Sequence, residues 1–118
     1  MRVTLEMART DVERVKGCCA PVAAPLEEPR ANGLSDLFKA CADPARVQML
    51  HMLKHATAPV CVCDFTAVLD LEQPTVSHHL ARLRRAGLVQ AERQGIWSFY
   101  RLDPQMSAAA RTAIELID

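Results

Sequence analysis

Apolar residues recur at helical spacing from the start of the chain to about residue 87, then alternate, then return to helical spacing. Residues 2 to 16 put Leu5, Ala8, Val12 and Val15 on one face, with Gly17 as a stop, which predicts a first helix. Between Ala20 and Gly33, Pro21, Pro25 and Pro29 favour an extended, semi-rigid connector. The stripe Leu34, Leu37, Phe38, Cys41 predicts a helix that Asp43-Pro44 ends, while the same pair starts the next one with Asp as N-cap and Pro in the first turn. That next helix carries Val47, Leu50 and Leu53. After Pro59, the residues Phe65, Val68 and Leu69 predict a short helix to about Asp70, and Gln73-Pro74 opens another that ends near Gly87.

The segments LVQAER and IWSFYR flank Gln94-Gly95, two strands around a turn that glycine permits. Met106, Ala110, Ala113, Ile114 and Ile117 then mark a C-terminal helix over residues 104 to 117, whose small residues allow a second helix to approach closely. Helix, short turn, helix and hairpin is the order of a winged helix-turn-helix, so the predicted fold class is mainly α with a small β-hairpin. Residues 1–33 form an N-terminal helix and proline-containing arm. Residues 34–118 form the winged helix-turn-helix with a C-terminal dimerisation helix.

A chain of 118 residues suits one domain with a modest core, which gains from burial against a second subunit. The N-terminus carries Arg2 and Glu6, and no stretch approaches the roughly 18 apolar residues of a membrane span, so a cytoplasmic protein with no membrane partner is expected. Formal charge is zero, yet Arg82, Arg84, Arg85, Arg93 and Arg101 stand against Glu92 alone between residues 73 and 101. Positive charge gathered in one quarter of the chain points to a local anionic partner.

The helix opened by Gln73-Pro74 separates into two faces. With Val76 as origin at about 100° per residue, Leu80 and Leu83 fall beside it. Thr75, His78, Arg82 and Arg85 gather opposite, while His79 lies nearer the apolar side. Hydroxyl, imidazole and guanidinium groups on one face are the donors and acceptors that read base edges and hold phosphates in a major groove.

LFKACADPARVQMLHML, VCVCDF, QPTVSHHLARLRRAGLV and RQGIWSFYRL, in this order, resemble the ArsR/SmtB family of metal-responsive repressors over about residues 34 to 102. The resemblance implies a dimer that binds an inverted-repeat operator in double-stranded DNA when metal-free and releases it when the inducer arrives. It makes Gln73 to Gly87 the recognition helix, with Gln73, Thr75, Ser77, His78 and Arg82 as DNA contacts, and the hairpin with Arg93 the wing. Glu72 stands where the family commonly has Ser before Gln-Pro.

Four of five cysteines are paired, in GCCAP at 17 to 21 and VCVCD at 60 to 64. In a reducing compartment an odd count reads as metal binding, catalysis or redox sensing rather than a disulfide framework. VCVCD resembles the cysteine pair of arsenic-, cadmium- and lead-sensing family members. On a continuing helix Cys61 and Cys63 would diverge by about 200°, so shared ligation requires an extended or distorted turn there, which Pro59 favours. A helix N-terminus is also expected to favour the thiolate. The arm bearing Cys18 and Cys19 is long enough to reach the core pair in its own subunit or across a dimer.

All-sulfur ligation selects thiophilic ions. The candidate metal ligands are therefore Cys18, Cys19, Cys61 and Cys63, with As(III) or Sb(III) as inducer and Cd(II) or Pb(II) as the alternative; a thiol-redox-sensing repressor is a further one. Cys41 reads as a small core residue, and His51 and His55 as structural or solvated. A second family type of site, built from Asp, His and Glu on the C-terminal helix, lacks its histidine, because residues 103 to 118 contain none. CC and CxC pairs lack the C-x-x-C setting of a thiol reductase, so no enzymatic role is expected.

Overall fold

The computed structural model describes residues 22–118. The expected helix over residues 2 to 16, and with it Cys18 and Cys19, lies outside the described residues. The described elements are helix α1 (Glu28–Cys41), helix α2 (Pro44–His55), strand β1 (Val60–Cys61), helix α3 (Val62–Leu69), helix α4 (Gln73–Arg85), strands β2 (Val89–Gln94) and β3 (Trp97–Leu102), and helix α5 (Ala108–Glu115).

Helix α1 begins at Glu28, so residues 28 to 33 are helical rather than part of an extended connector. The physical reason is Pro29. It sits in the first turn, where its missing N–H costs no hydrogen bond, and there it starts a helix rather than preventing one. Helix α2 starts as the sequence predicts: the Asp43 side chain accepts a hydrogen bond from the Arg46 backbone N–H at 3.1 Å, and Pro44 follows the cap. Helix α5 is shorter than expected, because Ser107 caps it by accepting from the Ala110 N–H at 3.1 Å.

The core is one cluster in which Met49, Leu50, Phe65, Val76, Leu80, Leu83 and Leu88 are completely buried. Each contributes about 1.5–3 kcal/mol of transfer free energy relative to exposure. Helix α4 supplies Val76, Leu80 and Leu83 to it, which fixes the opposite face outward. Three residues of the predicted apolar stripes face away from this core: Phe38 is 62% exposed, Val68 67% and Val47 38%. Phe38 instead lines a groove with Leu34, Leu37, Ala109, Ala113 and Leu116, between α1 and α5.

The hairpin is part of a larger sheet. Strand β3 lies in the middle of a three-stranded antiparallel sheet of order β1-β3-β2. Val60 pairs with Tyr100 and Cys61 with Phe99, a two-residue strand too short to show any alternation in sequence. The turn between β2 and β3 places Gly95 at φ 62°, a left-handed conformation that a side chain disfavours.

Candidate nucleic-acid interface and thiol pair

Helices α3 and α4 form the helix-turn-helix. Asp70 ends α3 in the left-handed region at φ 53°, and Leu71 and Glu72 lead directly into α4. Glu72 is the N-cap of α4 but makes no side-chain capping bond. On α4, Gln73, Thr75 and His78 are exposed, while Ser77 and Arg82 are half-buried. The Gln73 side-chain amide donates to the Ser77 hydroxyl at 2.8 Å, so these two arrive as one prearranged polar unit. Arg93 is exposed on the wing, where its Nε donates to the Gly95 carbonyl at 3.3 Å, across the turn. The six residues expected to face DNA thus lie on α4 and the wing. Two further cations join them. Lys39 and Arg85 line, with Arg82, Asp36, Ala40 and Ala86, a cleft of about 350 Å³ between α1 and α4. Lys39 was invisible in the sequence because it belongs to a different helix.

Behind the outward face of α4 lies a polar hub that the sequence did not reveal. Arg46 is only 8% exposed. Its Nε donates to the Ala40 carbonyl at 2.6 Å, its Nη2 to the Lys39 carbonyl at 3.2 Å, and its Nη1 lies 3.1 Å from His79 Nδ1. His79 Nε2 in turn stands 3.8 Å from the Asp43 carboxylate. The C-terminal end of α1, the first turn of α2 and the middle of α4 are joined through one guanidinium. The hydrogen bond from the Arg46 backbone N–H, assisted by the Arg46 guanidinium nearby, holds the Asp43 carboxyl below its ordinary pKa.

The second candidate site is the pair Cys61 and Cys63. Cys61 is the last residue of β1 and the N-cap of α3, with extended backbone at φ −77° and ψ 150°. That non-helical corner brings the two sulfurs together, and Cys63 Sγ donates to Cys61 Sγ at 2.8 Å. Asp64 closes a capping box by accepting from the Cys61 N–H at 3.0 Å. Cys61 is buried, at 6% exposure, and Cys63 is exposed. The bond Cys63 donates to Cys61 pushes its thiol pKa up, with desolvation and the nearby Cys61 and Asp64 side chains adding to the rise. The expected lowering at the helix N-terminus is therefore reversed for Cys63: the local acceptors outweigh the backbone N–H groups. Burial likewise pushes the half-buried Cys41 thiol up where it packs against the core.

Among the described residues, no three His, Cys, Asp or Glu side chains converge to hold a metal ion. The pair Cys61 and Cys63 thus supplies two soft donors. Two sulfurs on a tetrahedral ion at about 2.3 Å each stand about 3.8 Å apart, so the pair must open by roughly 1 Å to share one. Cys63 is free to swing because its side chain is exposed.

Comparison with known proteins places this architecture. Residues 43–91 match the family described as bacterial regulatory protein, arsR family. The chain is 41% identical over 70 residues to the arsenic resistance transcriptional regulator ArsR1 of Pseudomonas putida, covering 59% of this chain and 54% of that protein. It therefore spans about half the length of that relative. It is 42% identical over 79 residues to the arsenical resistance operon repressor of Escherichia coli, covering 67% of each. Among solved structures, HlyU from Vibrio cholerae superposes with a TM-score of 0.65 at 34% identity, over 76% of this chain and 92% of that one. With its helix-turn-helix, its three-stranded winged sheet and these relatives, the chain belongs to the ArsR family of transcriptional regulators.

Proposed function

We propose that this chain is a repressor that binds an inverted-repeat operator as a homodimer and releases it when trivalent arsenic or antimony is held by cysteine thiols. The observation that carries the reading is the 2.8 Å approach of Cys61 and Cys63 at the start of the helix immediately before α4. Relatives named for arsenical resistance support it. A pyramidal trivalent ion takes three sulfurs, and Cys18 or Cys19 of the N-terminal arm would supply the third. Phe38 and Leu116, exposed beside the α1–α5 groove, offer the apolar face for the second subunit.

The fold gives the pair two routes to DNA. Helix α3 joins α4 through Asp70, Leu71 and Glu72 alone, so a tilt of α3 turns Thr75, His78 and Arg82. The Cys61 backbone also pairs with Phe99 of β3, the central strand of the wing, so displacement of Cys61 reaches Arg93 as well. An inducer weakens DNA binding only by favouring the displaced arrangement, and typical couplings of about 1–3 kcal/mol correspond to roughly 5- to 150-fold.

The test is operator binding by fluorescence anisotropy while arsenite is titrated in. Cys18→Ser/Cys19→Ser should keep DNA affinity and lose release by arsenite. Release by this variant at the wild-type arsenite concentration would remove the arm, and release by Cys61→Ser/Cys63→Ser would remove the core pair. Cadmium and lead arms of the same titration decide between ions, and a peroxide arm tests thiol oxidation. A protein that binds the inverted repeat no better than random duplex at low salt would overturn the repressor reading.

A further inference from the structure

We propose that His51 and His55, together with the main-chain oxygen of Asp118, form a binding site for a divalent transition-metal ion such as Zn²⁺ or Ni²⁺. The site lies on a different element from the thiol pair and does not rest on the arsenite reading. His51 and His55 are four apart on α2, so helical geometry puts both imidazoles on one face. Their ring centroids are 4.8 Å apart with planes tilted by 59°. His51 Nδ1 and His55 Nε2 both point at the Asp118 main-chain oxygen, each within 2.8 Å of it. Two ring nitrogens aimed at one point are a bidentate chelate already assembled, and imidazole nitrogen suits Zn²⁺, Ni²⁺ and Cu²⁺.

In the metal-free arrangement that oxygen accepts, so each of those nitrogens carries its proton. On ion binding each of those nitrogens gives up its proton through water, to the other ring nitrogen or to solvent, and two lone pairs then face the focus. An ion at about 2.0–2.1 Å from both nitrogens occupies that focus, and the Asp118 oxygen shifts outward to become a third ligand or yields to water.

Lys54 donates from Nζ to the Ile114 carbonyl at 3.3 Å and to the Ile117 carbonyl, so it holds the same segment against α2. Its ammonium tempers affinity for a cation. Two imidazoles and an oxygen beside that charge correspond to binding in the micromolar range, weaker than a structural zinc site.

The test uses the full chain with Cys18, Cys19, Cys61 and Cys63 changed to Ser, with folding checked by circular dichroism. Zn²⁺ is titrated in competition with a chromophoric chelator. About one equivalent per chain should bind with micromolar affinity, and His51→Gln or His55→Gln should weaken it about tenfold or more. Affinity unchanged in both glutamine variants, or no binding at about 100 μM Zn²⁺, would overturn the site. If the serine variant fails to fold, the unaltered chain serves: Zn²⁺ should block carbethoxylation of His51 and His55 by diethyl pyrocarbonate, mapped by peptide mass spectrometry. Exposed His78 is the internal control, and equal reaction of all three histidines with and without Zn²⁺ would refute the proposal.

Discussion

Arg46 Nη1 lies 3.1 Å from His79 Nδ1, across the boundary between α2 and α4. A guanidinium only donates, so His79 Nδ1 accepts and its proton resides on Nε2, towards Asp43. His79 is thereby held back from the surface while its neighbour His78 is left exposed.

Arg46→Met keeps an apolar stem but leaves the Ala40 carbonyl and His79 Nδ1 without their donor. Buried groups left unpaired cost about 1–3 kcal/mol each, so a loss of about 2–6 kcal/mol is expected in urea unfolding. Arg46→Lys should recover less than half of it, because an ammonium has no planar fork to serve three acceptors at once. A loss below about 0.5 kcal/mol, the level of ordinary surface changes, would show that the hub is peripheral.

The two faces of α4 should separate stability from binding. Leu80→Ala removes a completely buried side chain and should cost about 2–5 kcal/mol of stability. Arg82→Ala should change stability by less than about 0.5 kcal/mol. Its DNA affinity should fall, and if Arg82 contacts a phosphate the slope of log K against log salt should flatten by about one. Anisotropy titrations at several salt concentrations, beside urea melts, check both halves.

Much of this fold was legible because its punctuation is local. Asp43-Pro44, Gln73-Pro74 and Gln94-Gly95 each set a boundary through backbone chemistry that needs no tertiary context, and the elements follow from them. The apolar partition of α4 was legible too, since its one apolar stripe leaves no choice of face. Phe38, Val47 and Val68 were not, because α1, α2 and α3 carry apolar residues on more than one side and a wheel does not say which side meets the core. Arg46 was missed because arginine in a sequence reads as surface, and only the meeting of α1, α2 and α4 gives it acceptors. The 2.8 Å sulfur contact depends on a two-residue strand, which has no periodicity to read.

Acid should weaken the start of α2 in a defined direction. The Asp43 pKa is lowered in the folded state, so its contribution is present above the unfolded value of about 3.9 and is lost as pH falls through the lower folded value. Asp43→Ala should therefore cost about 0.5–2 kcal/mol near neutral pH, and wild type and variant should converge below about pH 4. Urea melts at pH 7 and pH 3 measure the difference, and a constant gap between the two proteins would show that the cap does not depend on the carboxylate charge.

The identity of the inducer should be readable from protons. Near neutral pH Cys63 holds its proton, because the bond to Cys61 and the negative charge of Asp64 raise its pKa. A cation such as Cd²⁺ must expel that proton, so its affinity should rise with pH by up to about tenfold per unit for each proton released. Arsenite arrives as neutral As(OH)₃. Each As–O bond that gives way to an As–S bond sends a hydroxide away with the thiol proton as water, and no net proton is released. Arsenite affinity should accordingly stay nearly flat between about pH 6.5 and 8 while cadmium affinity climbs, in a range below the ordinary thiol pKa of about 8.5. Binding isotherms over that range, with proton release followed by a pH indicator in weak buffer, measure this. Cys63→Ser should lower the cadmium slope by about one proton's share, and a steep pH dependence for arsenite itself would mean that its ligation does not proceed by exchange of hydroxide for thiol.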